Sequence, residues 1–272
     1  YKSPQLVHDT GYYRDVHLTQ IGLLCTDPER AFLNILNRFE LLDWFSNKMQ
    51  LTNTVYEDKV YTILEKLISF FYVLISERSL FMEFESTEKE IRHRLKQVLI
   101  YTLYYKPLTY SEIEESLSDD LSSYERLDEI LNEVSMFTAP RGLNDDGRYS
   151  LKSDYYKFVD PLKLLAQVKD FQDNTTVLCK ALSETDKPVD DIILEPKLAK
   201  LESYKTLADF TRTNEFAKFV YKLLEYALQN NQDTYVPQLL HLLHAVFKDD
   251  EMVNAKDHII ESFVQIPVCE SL

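Results

Sequence analysis

The sequence predicts a mainly helical fold: a helical scaffold with an embedded winged-helix module of three helices and a short β-hairpin. Three observations carry this reading. Glycine is scarce, 4 in 272 residues, about a fifth of its usual share, which disfavours folds rich in tight turns or phosphate-cradling loops. Helix-start signatures recur along the chain. A single Asp-Gly turn signal follows a run of three short helical patterns.

Asp27-Pro28-Glu29 opens the first clear helix, since Asp27 suits an N-cap, Pro28 the first helical position and Glu29 the positive end of the dipole. Phe32, Leu33, Ile35, Leu36, Phe39 and Leu42 then form its apolar face. A second helix is expected from Thr54, with Glu57 completing a capping box. Its apolar residues Val60, Ile63, Leu64, Leu67, Ile68, Phe71, Leu74 and Ile75 recur at spacings of three and four, as a core helix requires.

From Ser86 three shorter helices are each announced by a capping box: Thr87 with Glu90, Thr109 with Glu112, and Ser122 with Glu125. The third is expected to end near Phe137. Strands are expected around Thr138 to Leu143 and Arg148 to Lys152, on either side of Asp145-Asp146-Gly147. After Pro161 a looser stretch is broken by Pro188 and Pro196, and amphipathic helices run from about Asn214 to Gln229 and Val236 to Lys248. The expected division is 1–85, an N-terminal helical scaffold segment; 86–160, the winged helix; and 161–272, a C-terminal helical scaffold segment. No repeat of fixed period is present.

Composition narrows the function classes. The net charge is −15, with 45 acidic against 30 basic residues, and repels phosphate backbones, so nucleic acid is not an expected partner. The charge of the module itself agrees. Between Tyr110 and Val134 stand Glu112, Glu114, Glu115, Asp119, Asp120, Glu125, Asp128, Glu129 and Glu133, with Arg126 as the only base. That surface fits protein rather than DNA. The most apolar run, Leu67 to Ile75, is closed by Ser76-Glu77-Arg78, too soon for a membrane span, so no membrane partner is expected. Cys25, Cys179 and Cys269 are far apart in apolar surroundings and read as buried thiols in a reducing compartment, which gives a cytoplasmic or nuclear expectation. The chain begins with Tyr1 rather than Met, and a longer parent chain is expected.

Candidate chemistry is sparse. His241 and His244 share a helix face at a metal-binding spacing, but no further ligands are placed to complete a zinc set. They read as partly buried histidines on an apolar helix. His93 lies among Arg92, Arg94 and Lys96 on a solvated basic face, and His8, His17 and His258 stand alone. Gly-rich phosphate loops, Gly-x-Ser-x-Gly, His-Glu-x-x-His and Cys-x-x-Cys do not occur. No catalytic, cofactor-binding or metal-ligating residue is assigned.

Several patches resemble the central region of the UBR-type N-recognins, RING-type ubiquitin ligases that recognise destabilising N-terminal residues. Arg14-Asp15-Val16, Asp27-Pro28 and Asn37-Arg38-Phe39-Glu40-Leu41 are similar to the family's Lys-Asp-Val, Asp-Pro and Ser-Arg-Phe-Glu-Leu. Ser76-Glu77-Arg78 resembles its Gly-Glu-Arg, Lys106-Pro107-Leu108-Thr109-Tyr110-Ser111-Glu112 its Lys-Pro-Met-Ala-His-Ser-Glu, and Gly147-Arg148-Tyr149-Ser150-Leu151-Lys152 its Gly-Met-Tyr-Glu-Leu-Lys. Tyr110 in place of His, and the absence of a Lys- and Pro-rich insertion beyond the winged helix, resemble fungal-type members. Residues beyond Leu165 follow by continuity.

The resemblance implies a scaffold segment of an N-degron ligase, positioning substrate-recognition modules relative to the RING and a ubiquitin-conjugating enzyme. It implies other domains of the same chain, that enzyme and protein substrates as partners. Zinc is expected in the UBR box and RING of the parent protein, with no cofactor in this segment. The competing reading is a stand-alone winged-helix adaptor or complex subunit without enzymatic activity.

Overall fold

The computed structural model describes residues 4–46, 59–140, 142, 146–163, 171–183, 192–201, 203–231, 233–253 and 259–265. Its helices are α1 (Pro4–Cys25), α2 (Pro28–Arg38), α3 (Leu42–Ser46), α4 (Val60–Ser76), α5 (Thr87–Leu103), α6 (Tyr110–Ser116), α7 (Asp119–Ser122), α8 (Leu127–Val134), α9 (Ser153–Tyr156), α10 (Phe171–Ser183), α11 (Asn214–Asn230), α12 (Val236–Val253) and α13 (Ile259–Gln265). The strands β1 (Ser135–Thr138) and β2 (Arg148–Leu151) lie between α8 and α9, and 3-10 turns cover Ser79–Phe81 and Lys205–Arg212. Among the described residues no helix is long and apolar enough to cross a membrane. The chain forms two compact units: residues 1–81 with 198–272, and residues 82–197 between them. The first joins the two flanking segments that the sequence reading kept separate, and the second carries the central module on through 161–197.

In the first unit α2 starts as its sequence predicts, with the Asp27 side chain accepting from the Arg30 amide at 2.9 Å. At its end Glu40 takes a left-handed φ of 57°, and the Leu41 and Glu40 amides donate to Leu36 and Asn37 carbonyls, satisfying groups the helix leaves open. The expected start at Thr54 with Glu57 lies outside the described residues; α4 is seen from Val60. Every residue from Phe71 to Ser76 is buried, and both α1 and α12 pack against this helix. Leu64, Leu67, Ile68 and Leu74 have no exposed surface, and each such burial contributes about 1.5–3 kcal/mol. Rings of Phe32, Phe71, Phe216 and Phe219 meet at centroid distances between 5.6 and 6.0 Å, mostly edge to face.

Helix α1 was not anticipated. From Gly11 onward its buried residues are Val16, Gln20 and Leu23, and the glutamine among them hides the periodicity. Gln20 Nε2 donates to the Leu74 and Glu77 carbonyls at 2.9 and 2.6 Å, so a polar residue ends the most apolar helix of the chain. Helices α11 and α12 fall where the apolar spacing put them, α12 running on to Val253. Tyr235 anchors their junction, its buried hydroxyl donating to the Leu223 carbonyl at 2.7 Å.

The second unit is built on α5, whose Leu95, Leu99, Ile100 and Leu103 pack with Ile113 of α6, Leu121 of α7 and Ile130, Leu131 and Val134 of α8. The capping box of α6 is complete: the Thr109 amide donates to Glu112 Oε2 at 2.8 Å and the Glu112 amide to Thr109 Oγ1 at 3.3 Å. The other two expected boxes are corrected. For α5 the cap is Ser86, accepting from the Lys89 amide, rather than Thr87. Ser122 closes α7, and α8 begins five residues later without a side-chain cap, Asp128 and Glu129 complementing its dipole instead.

The first strand also differs from expectation. It starts at Ser135, directly after α8, where the apolar pattern of the helix runs on into Met136 and Phe137 and conceals the change of period. The hairpin pairs Ser135 with Leu151, Phe137 with Tyr149 and Thr138 with Arg148. Leu108, between α5 and α6, bridges Tyr149 in both directions at 3.0 and 2.7 Å, adding a one-residue third strand to the wing. Helix α10 is tied to α5 by the buried Tyr104 hydroxyl, which donates to Asn174 Oδ1 at 2.7 Å.

Candidate functional site

Two groupings of polar side chains stand out, one in each unit. In the first, Arg78, Arg212, Asp249 and Asp250 are all nearly inaccessible to solvent. Arg78 follows the end of α4 and donates through Nε to the Ile75 carbonyl at 2.7 Å, through Nη1 to the Ala199 carbonyl at 2.9 Å, and through Nη2 to Asp249. Arg212 fans out to Asp209, Asp249 and Asp250 at 2.5, 2.5 and 2.6 Å. Burial works against the Arg212 charge, but Asp249 and Asp250 outweigh it and hold the guanidinium above its usual range. Burial pushes the Asp209 carboxyl up, with Arg212 opposing. Every charge here is answered by another or by a backbone carbonyl, the arrangement of a structural tie. The Ile259 amide and Ser262 hydroxyl, at the start of α13, bond to Asp250 and to the Arg212 carbonyl.

In the second unit three acidic residues of α7 and α8 pair with α5 and a fourth, Asp128, does so with a tyrosine. Glu129 and Glu133 on α8 take Arg92 of α5 at 2.9 and 2.8 Å, Glu133 also takes Lys96 at 2.6 Å, and Asp120 takes Arg94 at 3.5 Å. The Lys96 bond leads in holding the Glu133 carboxyl below its usual range. These pairs join α7 and α8 to α5, the first helix of the module. Asp128 instead points to the exposed side of α8 and accepts from the Tyr110 hydroxyl at 3.2 Å. Tyr110 continues into an aromatic row, 6.3 Å to Tyr149 and 5.0 Å from Tyr149 to Phe137.

The histidines end up apart from both groupings. His241 is buried, its ring stacked 5.0 Å from Tyr72, and His244 is half-buried. Among the described residues no three His, Cys, Asp or Glu side chains gather in a way that could hold a metal ion. His93 is half-buried against the Phe84 ring at 5.3 Å, not on a solvated face, because α5 turns it inward from Arg92 and Arg94. Cys25 is exposed at the end of α1, contrary to the buried reading, while Cys179 is buried and its thiol is pushed up by that burial. His258 and Cys269 lie outside the described residues. Sequence reasoning missed the charge cluster entirely. Its available signal was Asp249-Asp250 continuing the buried stripe of Ala245 and Val246, together with an arginine closing an apolar helix.

Residues 94–192, which hold most of the three-helix module and its hairpin, match the family model described as E3 ubiquitin-protein ligase UBR1-like, winged-helix domain. Along nearly the whole chain the similarity is to the E3 ubiquitin-protein ligase UBR1 of Saccharomyces cerevisiae, 40% identical over 267 residues. The chain belongs to the UBR1-like family. That alignment takes in 96% of this chain and 14% of the yeast relative, so the chain spans about one seventh of the relative's length. The ubr1 of Schizosaccharomyces pombe is 22% identical over 222 residues, 81% of this chain and 11% of the relative. The UBR1 of Homo sapiens is 25% identical over 146 residues, 54% of this chain and 8% of the relative. A UBR1-like segment of fungal type accounts for this grading, with yeast similarity reaching well past Leu165.

Proposed function

We propose that this UBR1-like chain is part of an E3 ubiquitin-protein ligase of the N-degron pathway, and that it serves as the helical frame setting the distance between substrate-recognition modules and the RING with its conjugating enzyme. The observation that carries the reading is the 40% identity to the yeast E3 ubiquitin-protein ligase UBR1 along 96% of the chain. The contribution to transfer is positional. Attack of a substrate lysine on a ubiquitin thioester is accelerated by proximity, and a stiff frame keeps the effective concentration of the two groups high. The buried charge cluster and the ion pairs between α5 and α8 suit such a role, because they hold elements in place and offer no group free to react. The partners are other domains of the same polypeptide, a ubiquitin-conjugating enzyme and protein substrates. Zinc belongs to the UBR box and RING of the longer protein, which resides in the cytoplasm or nucleus.

The test uses the full-length ligase. Leu131 is almost wholly buried in the middle of α8, and Leu131→Pro should cost about 3 kcal/mol or more locally. The expected outcome is slower ubiquitination of an N-degron substrate with little change in its binding to the ligase. An unchanged ubiquitination rate, or discharge of ubiquitin by the 272-residue chain alone, would refute the framing role.

A further inference from the structure

We propose that the wing face of the winged-helix module is a docking surface for a cationic protein segment, with an apolar side chain on Phe137 and an arginine lying along Tyr149 and Tyr110 to reach Asp128.

Phe137 is 55% exposed and Met136 60%, unusual for large apolar side chains on a two-stranded hairpin whose other end, at Leu151, is buried. Phe137 is nevertheless held in place. Its ring lies against Gly147, where a Cβ atom would overlap it, and at 5.0 Å from Tyr149. Glycine here leaves room for the far edge of the ring in this position, and its backbone φ is not positive. An exposed aromatic side chain that already rests against Gly147 and Tyr149 has less freedom to lose on binding than an unsupported one, the usual character of an interface anchor.

The charge around the row selects the occupant. Most carboxylates of α8 are neutralised by Arg92 and Lys96 on the side facing α5. Asp128 is exposed and bound to a phenol, a neutral donor, at 3.2 Å. The Tyr110 hydroxyl is pushed up by burial, then by Asp128 and Glu114, so it stays protonated and donates to the carboxylate. A guanidinium matches this end of the row in two ways, stacking on the tyrosine faces and donating in bidentate fashion to the carboxylate. Alternate residues of an extended segment that point the same way are about 6.6 Å apart, close to the 5.0 and 6.3 Å ring spacings. A leucine on Phe137 therefore places an arginine two positions on over Tyr149, one step along the row, and its long side chain lies along the second step towards Tyr110 and Asp128. The surface lies wholly within residues 82–197, and the proposal does not depend on whether the longer protein transfers ubiquitin.

The experiment titrates the 272-residue chain into a fluorescein-labelled peptide repeating Leu-Ser-Arg-Ser, and into the same peptide with citrulline for arginine, following anisotropy at near-physiological salt. The arginine peptide is expected to bind and the citrulline peptide to fail. Phe137→Ser and Asp128→Asn should each weaken binding about fivefold or more, while Glu125→Gln, which removes the same charge from another exposed position of the module, should leave it unchanged. Asp128→Asn alters an exposed side chain and keeps the test valid if Phe137→Ser lowers stability. Equal binding of the two peptides, no binding of either, or equal loss in Glu125→Gln and Asp128→Asn would overturn the proposal.

Discussion

Replacing Asp249 by asparagine tests the account of the charge cluster most directly. The carboxylate is 1% exposed and joins two guanidinium groups, Arg78 and Arg212, the latter at 2.5 Å. Asparagine keeps the shape and removes the charge. Arg212 still has Asp209 and Asp250, but Arg78, itself 2% exposed, is left with the Ile75 and Ala199 carbonyls as its described acceptors. Breaking a buried pair from one side costs about 3–5 kcal/mol, because the remaining charge has lost its solvent and its partner alike. That is a large part of the roughly 5–15 kcal/mol that stabilises a domain. Trp44, the single tryptophan of the chain, is buried in the same unit, so its fluorescence in a urea titration reports the relevant transition. The double variant Arg78→Met with Asp249→Leu removes both charges and should recover much of the loss, as apolar replacements of whole buried pairs often do. A loss below about 1 kcal/mol for Asp249→Asn, or a double variant no better than the single one, would show that the cluster is solvated or redundant.

Glu40 is exposed and held at φ 57° after α2, a conformation that costs a side-chain-bearing residue about 1 kcal/mol; Glu40→Gly should raise stability by up to that amount in the same urea titration. Burial pushes the Tyr104 hydroxyl up to about 12, so the folded state holds this proton more tightly than the unfolded chain, whose phenols titrate near 10. The contribution of Tyr104 to stability should be intact below pH 10 and be lost as pH rises from about 10 to 12. Tyr104→Phe should remove that part of the alkaline loss when unfolding is followed by circular dichroism, and an identical alkaline profile in the variant would contradict the buried Tyr104–Asn174 bond.

The legible parts of the fold were those governed by one local rule. Asp27 before Pro28, and Thr109 three residues before Glu112, each needed only a side chain to reach the nearest open amides, and both form as expected. The spacing that marked Leu64, Leu67, Ile68, Phe71 and Leu74 as inward-facing reflects a helix with neighbours on several sides. Failures arose where tertiary partners supplied what the local sequence lacks. Helix α8 has no side-chain cap and is held by α5, so Ser122 and Glu125 misled. Helix α1 buries Gln20 because the end of α4 presents two carbonyls to it, a demand that no pattern within α1 could reveal. The aromatic row was illegible for a similar reason, since Tyr110, Phe137 and Tyr149 meet only through the hairpin register and the Leu108 bridge.

The segment Ser76-Glu77-Arg78 was recognisable as a family resemblance well before its chemistry was visible, and the structure supplies a physical reason for an arginine there. Residues 82–197 leave the first unit after Phe81 and the chain returns at Leu198. Arg78 and Ala199 lie just outside those two points, and the 2.9 Å bond between them closes the interruption across a separation of 121 residues. The same guanidinium ends α4 through the Ile75 carbonyl and reaches Asp249 on α12. Beside it Phe81 and Tyr204 place their rings 5.1 Å apart. Lysine could meet the carboxylate but could not serve two carbonyls in the same plane, since its ammonium has no fixed fork. The loop-closure cost of a long interruption grows only slowly with its length, so a single buried junction of this kind allows the first unit to keep one continuous core whatever occupies the intervening residues.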